Sequence, residues 1–275
     1  MSVPARVGVY GGGRMGAGIA HAFLVCGADV VVVESDEQSA AAASGRVEQS
    51  LAKAVERGFT GKAGTLAVTT DATDLAGCEL VVEAVPELPD LKRSVLATIA
   101  KVAPEAAIGT NTSSIPISSL ADALPDPTRL VGLHFFNPVP ASDLVEVVVG
   151  ASTSPELVAD AQEWVAGLGK TGITVTDSPG FASSRLGVML ALEAMRMLEE
   201  GVASAEDIDT AMTLGYRHPV GPLRTTDIVG LDVRLNIADA LAAELGERFA
   251  PPQVLRDKVD RGELGRKSGQ GFYAW

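Results

Sequence analysis

The sequence predicts an α/β protein in two parts. Residues 1–178 read as a doubly wound, mainly parallel sheet with helices on its faces, and residues 179–275 as an all-α domain. Three observations carry this expectation. Apolar strand-like runs alternate with helical spacings along the first part, the pattern of repeated βα units. The first run leads directly into a glycine-rich turn. From Pro179 the strand signals stop and only helical spacing continues.

Val7–Tyr10 is an apolar strand that enters Gly11-x-Gly13-x-x-Gly16. A helical pattern follows through Met15, Ile19, Ala22 and Phe23, and Gly27 stops it. A second strand, Val30–Val33, ends at Glu34. Strand, glycine turn, helix, second strand and terminal acid together predict a dinucleotide site of the Rossmann kind. Gly11 allows the tight turn, Gly13 lets backbone N–H groups approach the pyrophosphate, and Gly16 lets helix and strand pack closely. Arg14 and Met15 belong to the same expected cradle. Glu34 is placed to accept hydrogen bonds from ribose hydroxyls and would repel a 2′-phosphate, so NAD is favoured over NADP.

A helical stretch then runs from about Glu37 to Arg57, with strands at Leu66–Thr69 and Leu80–Glu83 and an amphipathic helix over Pro89–Val102. Ala107–Thr110, Arg129–His134 and Leu144–Val149 read as strands, Pro155–Leu168 as a helix and Ile173–Val175 as a strand. In the second part, helices are expected over Phe181–Glu200, Ala205–Leu214, Pro222 to about Leu245 (as one or two) and Pro252–Arg261. The first of these has a broad apolar face. In so small a domain such a helix calls for a partner, which predicts a homodimer built through the C-terminal part.

Composition narrows the function classes. The 275 residues are 47% apolar and 21% charged, and the net charge is −13. Nucleic acid and anionic membrane surfaces are therefore not expected partners, because both require clustered Lys and Arg. An anionic small ligand would need local donors set against this field. The two cysteines, Cys26 and Cys78, form no CxxC, so neither a disulfide framework nor a metal site is expected. No signal peptide or membrane span is read in the chain, and a cytoplasmic location is the expectation.

One stretch, GLHFFNPVPASDLVEVVVG from Gly132 to Gly150, sets His134 at the end of one apolar strand and a lone carboxylate, Glu146, inside the next. A buried carboxylate is costly unless paired. The other two histidines look structural: His21 lies on the first helix and His218 in a turn before Pro219.

Several segments in order resemble the 3-hydroxyacyl-CoA dehydrogenase family across nearly the whole chain. They are the glycine-rich Gly11–Ala20, VVEAVPE (Val81–Glu87), NTSS (Asn111–Ser114), GLHFFNPVP with LVEVV, DSPGF (Asp177–Phe181), HPVGPL with DIVGLD, and GELGRKSGQGFY near the C-terminus. The resemblance implies NAD-dependent oxidation of an (S)-3-hydroxyacyl-CoA to the 3-oxoacyl-CoA. It makes His134 the general acid/base paired to Glu146, and Ser113 a hydrogen-bond partner of the substrate's C3 oxygen. Glu87 and Lys92 fall near the nicotinamide ribose, and Asn111 and Asn137 near the nicotinamide region. Contacts to the CoA moiety fall on Ser50 and Arg57. Ser184 stands where the family carries an asparagine that helps hold the substrate carbonyl, and its single hydroxyl replaces an amide with two N–H donors. Asp143 adds a negative charge at the mouth of the expected site. Two other readings fit part of the sequence: a CoA-independent dehydrogenase of the same superfamily acting on a sugar acid or carnitine-like alcohol, and a dinucleotide-binding protein of low activity.

Overall fold

The computed structural model describes residues 3–275. The chain divides into two compact units, Met1–Ser178 and Pro179–Trp275. The first unit holds an eight-stranded sheet in the order β3-β2-β1-β4-β5-β6-β7-β8. Its strands are β1 (Arg6–Tyr10), β2 (Asp29–Val33), β3 (Leu66–Thr69), β4 (Leu80–Glu83), β5 (Ala107–Thr110), β6 (Leu130–Phe135), β7 (Leu144–Val149) and β8 (Thr171–Thr176). The helices are α1 (Arg14–Val25), α2 (Glu37–Glu56), α3 (Pro89–Val102), α4 (Ile117–Ala121) and α5 (Pro155–Gly167).

Strand β1 pairs in parallel with both β2 and β4. The winding direction reverses there, so a crevice opens beyond the carboxyl end of β1, where open α/β sheets bind ligands. The sheet is parallel from β3 through β6, but β7 runs antiparallel to β6. Chain length dictates this departure. Only residues 136–143 separate β6 from β7, and a parallel crossover needs a dozen or more. Strand β8 is again parallel to its neighbour β7, with α5 as the crossover.

The valine-rich strands are buried as continuous runs, as strands covered on both faces must be. Val7, Val9, Val30, Val32, Leu80, Val82, Val131, Leu133, Val145 and Val147 form one core with Ile19, Phe23 and Leu24 of α1. Each fully buried side chain of this size contributes about 1.5–3 kcal/mol.

The second unit is helical: α6 (Ser183–Glu199), α7 (Ala205–Thr210), α8 (Pro222–Val229), α9 (Leu231–Leu245) and α10 (Gln253–Asp260). The helix expected over Ala205–Leu214 ends early and runs into a π-helical turn, Ala211–Gly215. The stretch from Pro222 to Leu245 is two helices separated by Gly230. Val188, Leu192, Met195, Leu223, Leu231, Leu241, Phe249 and Leu255 make this unit's own core. Two buried aspartates fasten the C-terminal tail. Asp227 accepts from the backbone N–H groups of Phe272 and Tyr273 and from Trp275 Nε1, and Asp209 accepts from the Tyr273 hydroxyl at 2.7 Å. Burial and the Asp209 hydrogen bond push the Tyr273 phenol well above its usual range.

Candidate active site

The glycine turn between β1 and α1 has the shape a dinucleotide needs. Gly11 adopts φ +95°, a conformation L side chains rarely take. A Cβ on Gly16 would lie 1.8 Å from the Gly11 carbonyl oxygen, so the turn closes only with glycine there. A Cβ on Gly13 would meet nothing within 4 Å, so that side of the turn is open. Gly13 caps α1 without a side-chain hydrogen bond, and the first turn holds no acid. The first N–H groups of α1 are thus left for an anionic ligand. Glu34 is tied to this turn: Oε1 accepts from Gly12 N at 2.7 Å and Oε2 from Ser35 N at 3.3 Å. The residues present fit the pyrophosphate and ribose of a dinucleotide.

Beyond β4, a buried ionic network replaces the solvated lysine that a helix position would suggest. Lys92 is 1% exposed. Its Nζ lies 2.8 Å from Glu83 Oε1, 3.2 Å from Glu87 Oε2 and 3.2 Å from the Val85 carbonyl. An ammonium has three N–H donors, so these carboxylates and the carbonyl engage all of them. Lys92, which the resemblance sets near the cofactor, is thus the residue that holds Glu87. Glu87 Oε1 in turn accepts from the Thr112 hydroxyl at 2.6 Å and from the Ser113 and Ser114 backbone N–H groups at 2.8 and 3.0 Å. Burial raises the Glu87 pKa, but the Lys92 charge and these hydrogen bonds outweigh it and hold the carboxyl below the usual carboxylate range. Glu87 thereby fixes the loop that presents Ser113, which is exposed.

His134 and Glu146 are brought together by strand register. They are directly opposed on the antiparallel pair β6–β7, so their side chains leave the same face of the sheet. His134 Nδ1 lies 2.7 Å from Glu146 Oε2, with Glu146 fully buried and His134 nearly so. The Phe136 ring stands at 44° to the imidazole, centroids 4.5 Å apart. Asn111, at the end of β5, accepts from Phe135 N at 2.9 Å and so ties the end of β6 to its neighbour. A pocket of about 350 Å³ is lined by His134, Ser113, Glu87, Asn111 and Asn137 together with Met15. Five sequence-predicted residues from three separate segments thus meet Met15 of the glycine turn, itself expected in the cofactor cradle.

A second, larger groove of about 660 Å³ lies between α1, α2 and the turn Asn137–Ala141. Arg14, Arg46, Lys53 and Arg57 line it, with Ser50, and no carboxylate does. Four cations gathered in a chain of net charge −13 make a local site for an anion against the global field. Ser50 and Arg57, which the resemblance sets against CoA, both line this groove, and Arg14 does as well. Arg46 was not anticipated. It donates to the Gly12 carbonyl at 3.1 Å, and its spacing of seven from Lys53 and eleven from Arg57 on one helix face was the available signal. His21 also lines this groove. Asn137 lines both pockets, so the groove and the His134 pocket adjoin. Ser184 is the second residue of α6, in the second unit.

Residues 6–178 match the 3-hydroxyacyl-CoA dehydrogenase NAD binding domain, and residues 180–275 the 3-hydroxyacyl-CoA dehydrogenase C-terminal domain. The chain is 42% identical over 277 residues to a "Probable 3-hydroxybutyryl-CoA dehydrogenase" of Deinococcus radiodurans, covering 98% of this chain and 100% of that one. Among solved structures, Mycobacterium tuberculosis FadB2 is similar at TM-score 0.92 and 41% identity over the whole of both chains. The (S)-3-hydroxybutyryl-CoA dehydrogenase PaaH1 of Ralstonia eutropha is similar at TM-score 0.93 and 36% identity over 99% of each. With an NAD-binding cradle, a helical second unit and both family domains matched end to end, the chain belongs to the 3-hydroxyacyl-CoA dehydrogenase family.

Proposed function

We propose that this protein oxidises the 3-hydroxyl of an (S)-3-hydroxyacyl-CoA, of the 3-hydroxybutyryl type, to the 3-oxoacyl-CoA. The observation that carries this reading is the junction at Asn137 between a His–carboxylate pocket and a groove lined by four cations. A substrate with a reacting end and a long phosphorylated tail fits such a pair of connected sites. NAD, when bound, supplies the acceptor for the hydride that leaves C3.

The chain's own residues handle the proton and the oxygen. Glu146 accepts the Nδ1–H of His134, which sets the tautomer and leaves Nε2 as the base. His134 takes the hydroxyl proton as the C3–O bond becomes a carbonyl, and Glu146 stabilises the imidazolium that forms. Ser113 donates to the same oxygen from a loop that Glu87 and Lys92 hold in place. Ser184 occupies the sequence position of a further polar contact to the substrate carbonyl. Loss of one such donor costs roughly 10²–10³ in rate, so Ser184→Asn is the natural comparison for this chain. The physiological form is read as a cytoplasmic homodimer through residues 179–275, supported by the exposed Leu186, Leu214, Tyr216 and Val229 of that unit.

The test is NADH oxidation followed with acetoacetyl-CoA and with free acetoacetate. Turnover of the thioester with little turnover of the free acid is expected. Equal use of both, or use of the acid alone, would move the protein to the CoA-independent branch of its superfamily.

A further inference from the structure

His21 was read from sequence as a structural residue of the first helix. The structure gives it a more specific setting. It lies on the stripe Arg14, Ala17, Gly18, His21 of α1 that forms one wall of the large groove. That spacing of three and four residues is one helix face. The facing wall is the turn Asn137–Ala141, which approaches so closely that a Cβ on Gly18 would lie 2.9 Å from Val139 Cβ.

The side chain is 6% exposed, and its Nδ1 is sealed from solvent with no hydrogen-bond partner. An N–H placed there would be an unsatisfied buried donor, costing about 1–3 kcal/mol. The neutral ring therefore carries its proton on Nε2. His21 lines the groove and Nε2, unlike Nδ1, is not sealed, so Nε2 is the nitrogen available to a ligand there. Burial first, and the nearby Lys170 charge second, lower the His21 pKa below the usual histidine value and so favour the neutral ring. Lys170 itself is fixed against the back of the same turn, donating to the carbonyls of Val139 and Ser142.

The groove thus has two chemically distinct parts. Arg14, Arg46, Lys53 and Arg57 offer charge, suited to phosphates. His21 offers a single neutral donor in a groove that the apolar Val139 and Pro140 also line, suited to an uncharged acceptor. We propose that His21 is a substrate-positioning residue, donating its Nε2–H to an amide carbonyl of the pantetheine arm as that arm crosses between the cationic part of the groove and the His134 pocket. This rests on the acyl-CoA reading given above and assigns one side chain of this particular sequence within it.

The experiment compares wild type, His21→Leu and His21→Gln with acetoacetyl-CoA and with acetoacetyl-pantetheine, which keeps the amides and lacks the nucleotide. Leu keeps bulk without a donor, and Gln restores an N–H donor. For His21→Leu we expect KM to rise roughly five- to tenfold with both thioesters, the size of one lost net hydrogen bond. Little change is expected in kcat or NADH affinity, and Gln should recover most of the loss. A rise with acetoacetyl-CoA alone would assign the donor to a phosphate and overturn the amide assignment. An unchanged KM, or a parallel fall in NADH affinity, would overturn the positioning role. Calorimetric titration of the three proteins with CoA keeps the two readings separable. Wild type that binds CoA without turning over its thioester would count against the reaction, while an equal Kd in His21→Leu would count against His21.

Discussion

His134 was singled out in the sequence by the surrounding HFFNPVP stretch, which resembles a known family; a strand-end histidine alone is more often a core residue. Its pairing with Glu146 is a consequence of register: twelve residues apart in the chain, they become directly opposed once β7 returns antiparallel. If the carboxylate sets the tautomer, Glu146→Gln should lower kcat about 10²–10⁴-fold in the direction that needs a base, with NADH affinity nearly unchanged. Stopped-flow NADH oxidation and fluorescence titration read the two quantities separately. The burial of Lys92 was not legible in the sequence, for a physical reason. A lysine on a helix is ordinarily solvated, but two carboxylates, Glu83 and Glu87, converge on this one through tertiary contacts that no local pattern displays. Glu87 also sets a pH dependence. Its carboxyl titrates lower in the folded chain than in the unfolded one, so the unfolded chain binds the proton first on acidification. The stabilisation is fully present above the unfolded value, roughly pH 4.3, and is lost as pH falls through the folded value. Glu87→Gln should flatten this acid limb in urea titrations run between about pH 3 and 6. An acid limb as steep as wild type's would remove Glu87 from this role.

At the scale of elements, the strand–turn–helix at the N-terminus was readable because each part has a local cause. The glycine spacing is dictated by backbone contacts, above all the 1.8 Å clash that a Cβ on Gly16 would make with Gly11. Gly16→Ala must therefore open the turn. It should weaken NADH binding at least tenfold while α1 and the sheet persist, as judged by near-native circular dichroism. Native NADH affinity in that variant would show that the cradle is not formed by this turn. The elements missed lacked such local causes. Helix α4 spans only Ile117–Ala121, and Ser118 at its start is held through both N and Oγ by Asp177 Oδ2 from the far end of the domain. The π-helical turn after α7 is likewise set by packing within the second unit. There Asp209 accepts from the backbone N–H groups of Leu223 and Arg224 as well as from Tyr273.

For the molecule as a whole, the charge balance argued against nucleic acid and anionic membranes as partners but could not locate the basic residues that do exist. Four of them gather on one groove because α1 and α2 face each other there, which is a property of the fold. Exposed apolar side chains on the helical unit give the dimer reading its content. Sedimentation of the native protein should give twice the mass of the 28.3 kDa chain, and Leu186→Glu should shift it toward monomer. A monomeric wild type at micromolar concentration would reject that assembly.

The central claim is that His134, backed by Glu146, moves the hydroxyl proton of a 3-hydroxyacyl thioester in this chain. Steady-state oxidation of NADH with acetoacetyl-CoA, compared between wild type and His134→Ala at matched NADH saturation, tests it most directly. Robust wild-type turnover is predicted, with a loss of at least about 10²-fold in the variant and an NADH affinity that stays within twofold. Turnover that survives in His134→Ala, or a wild type that binds NADH and reduces no acyl-CoA, would contradict it.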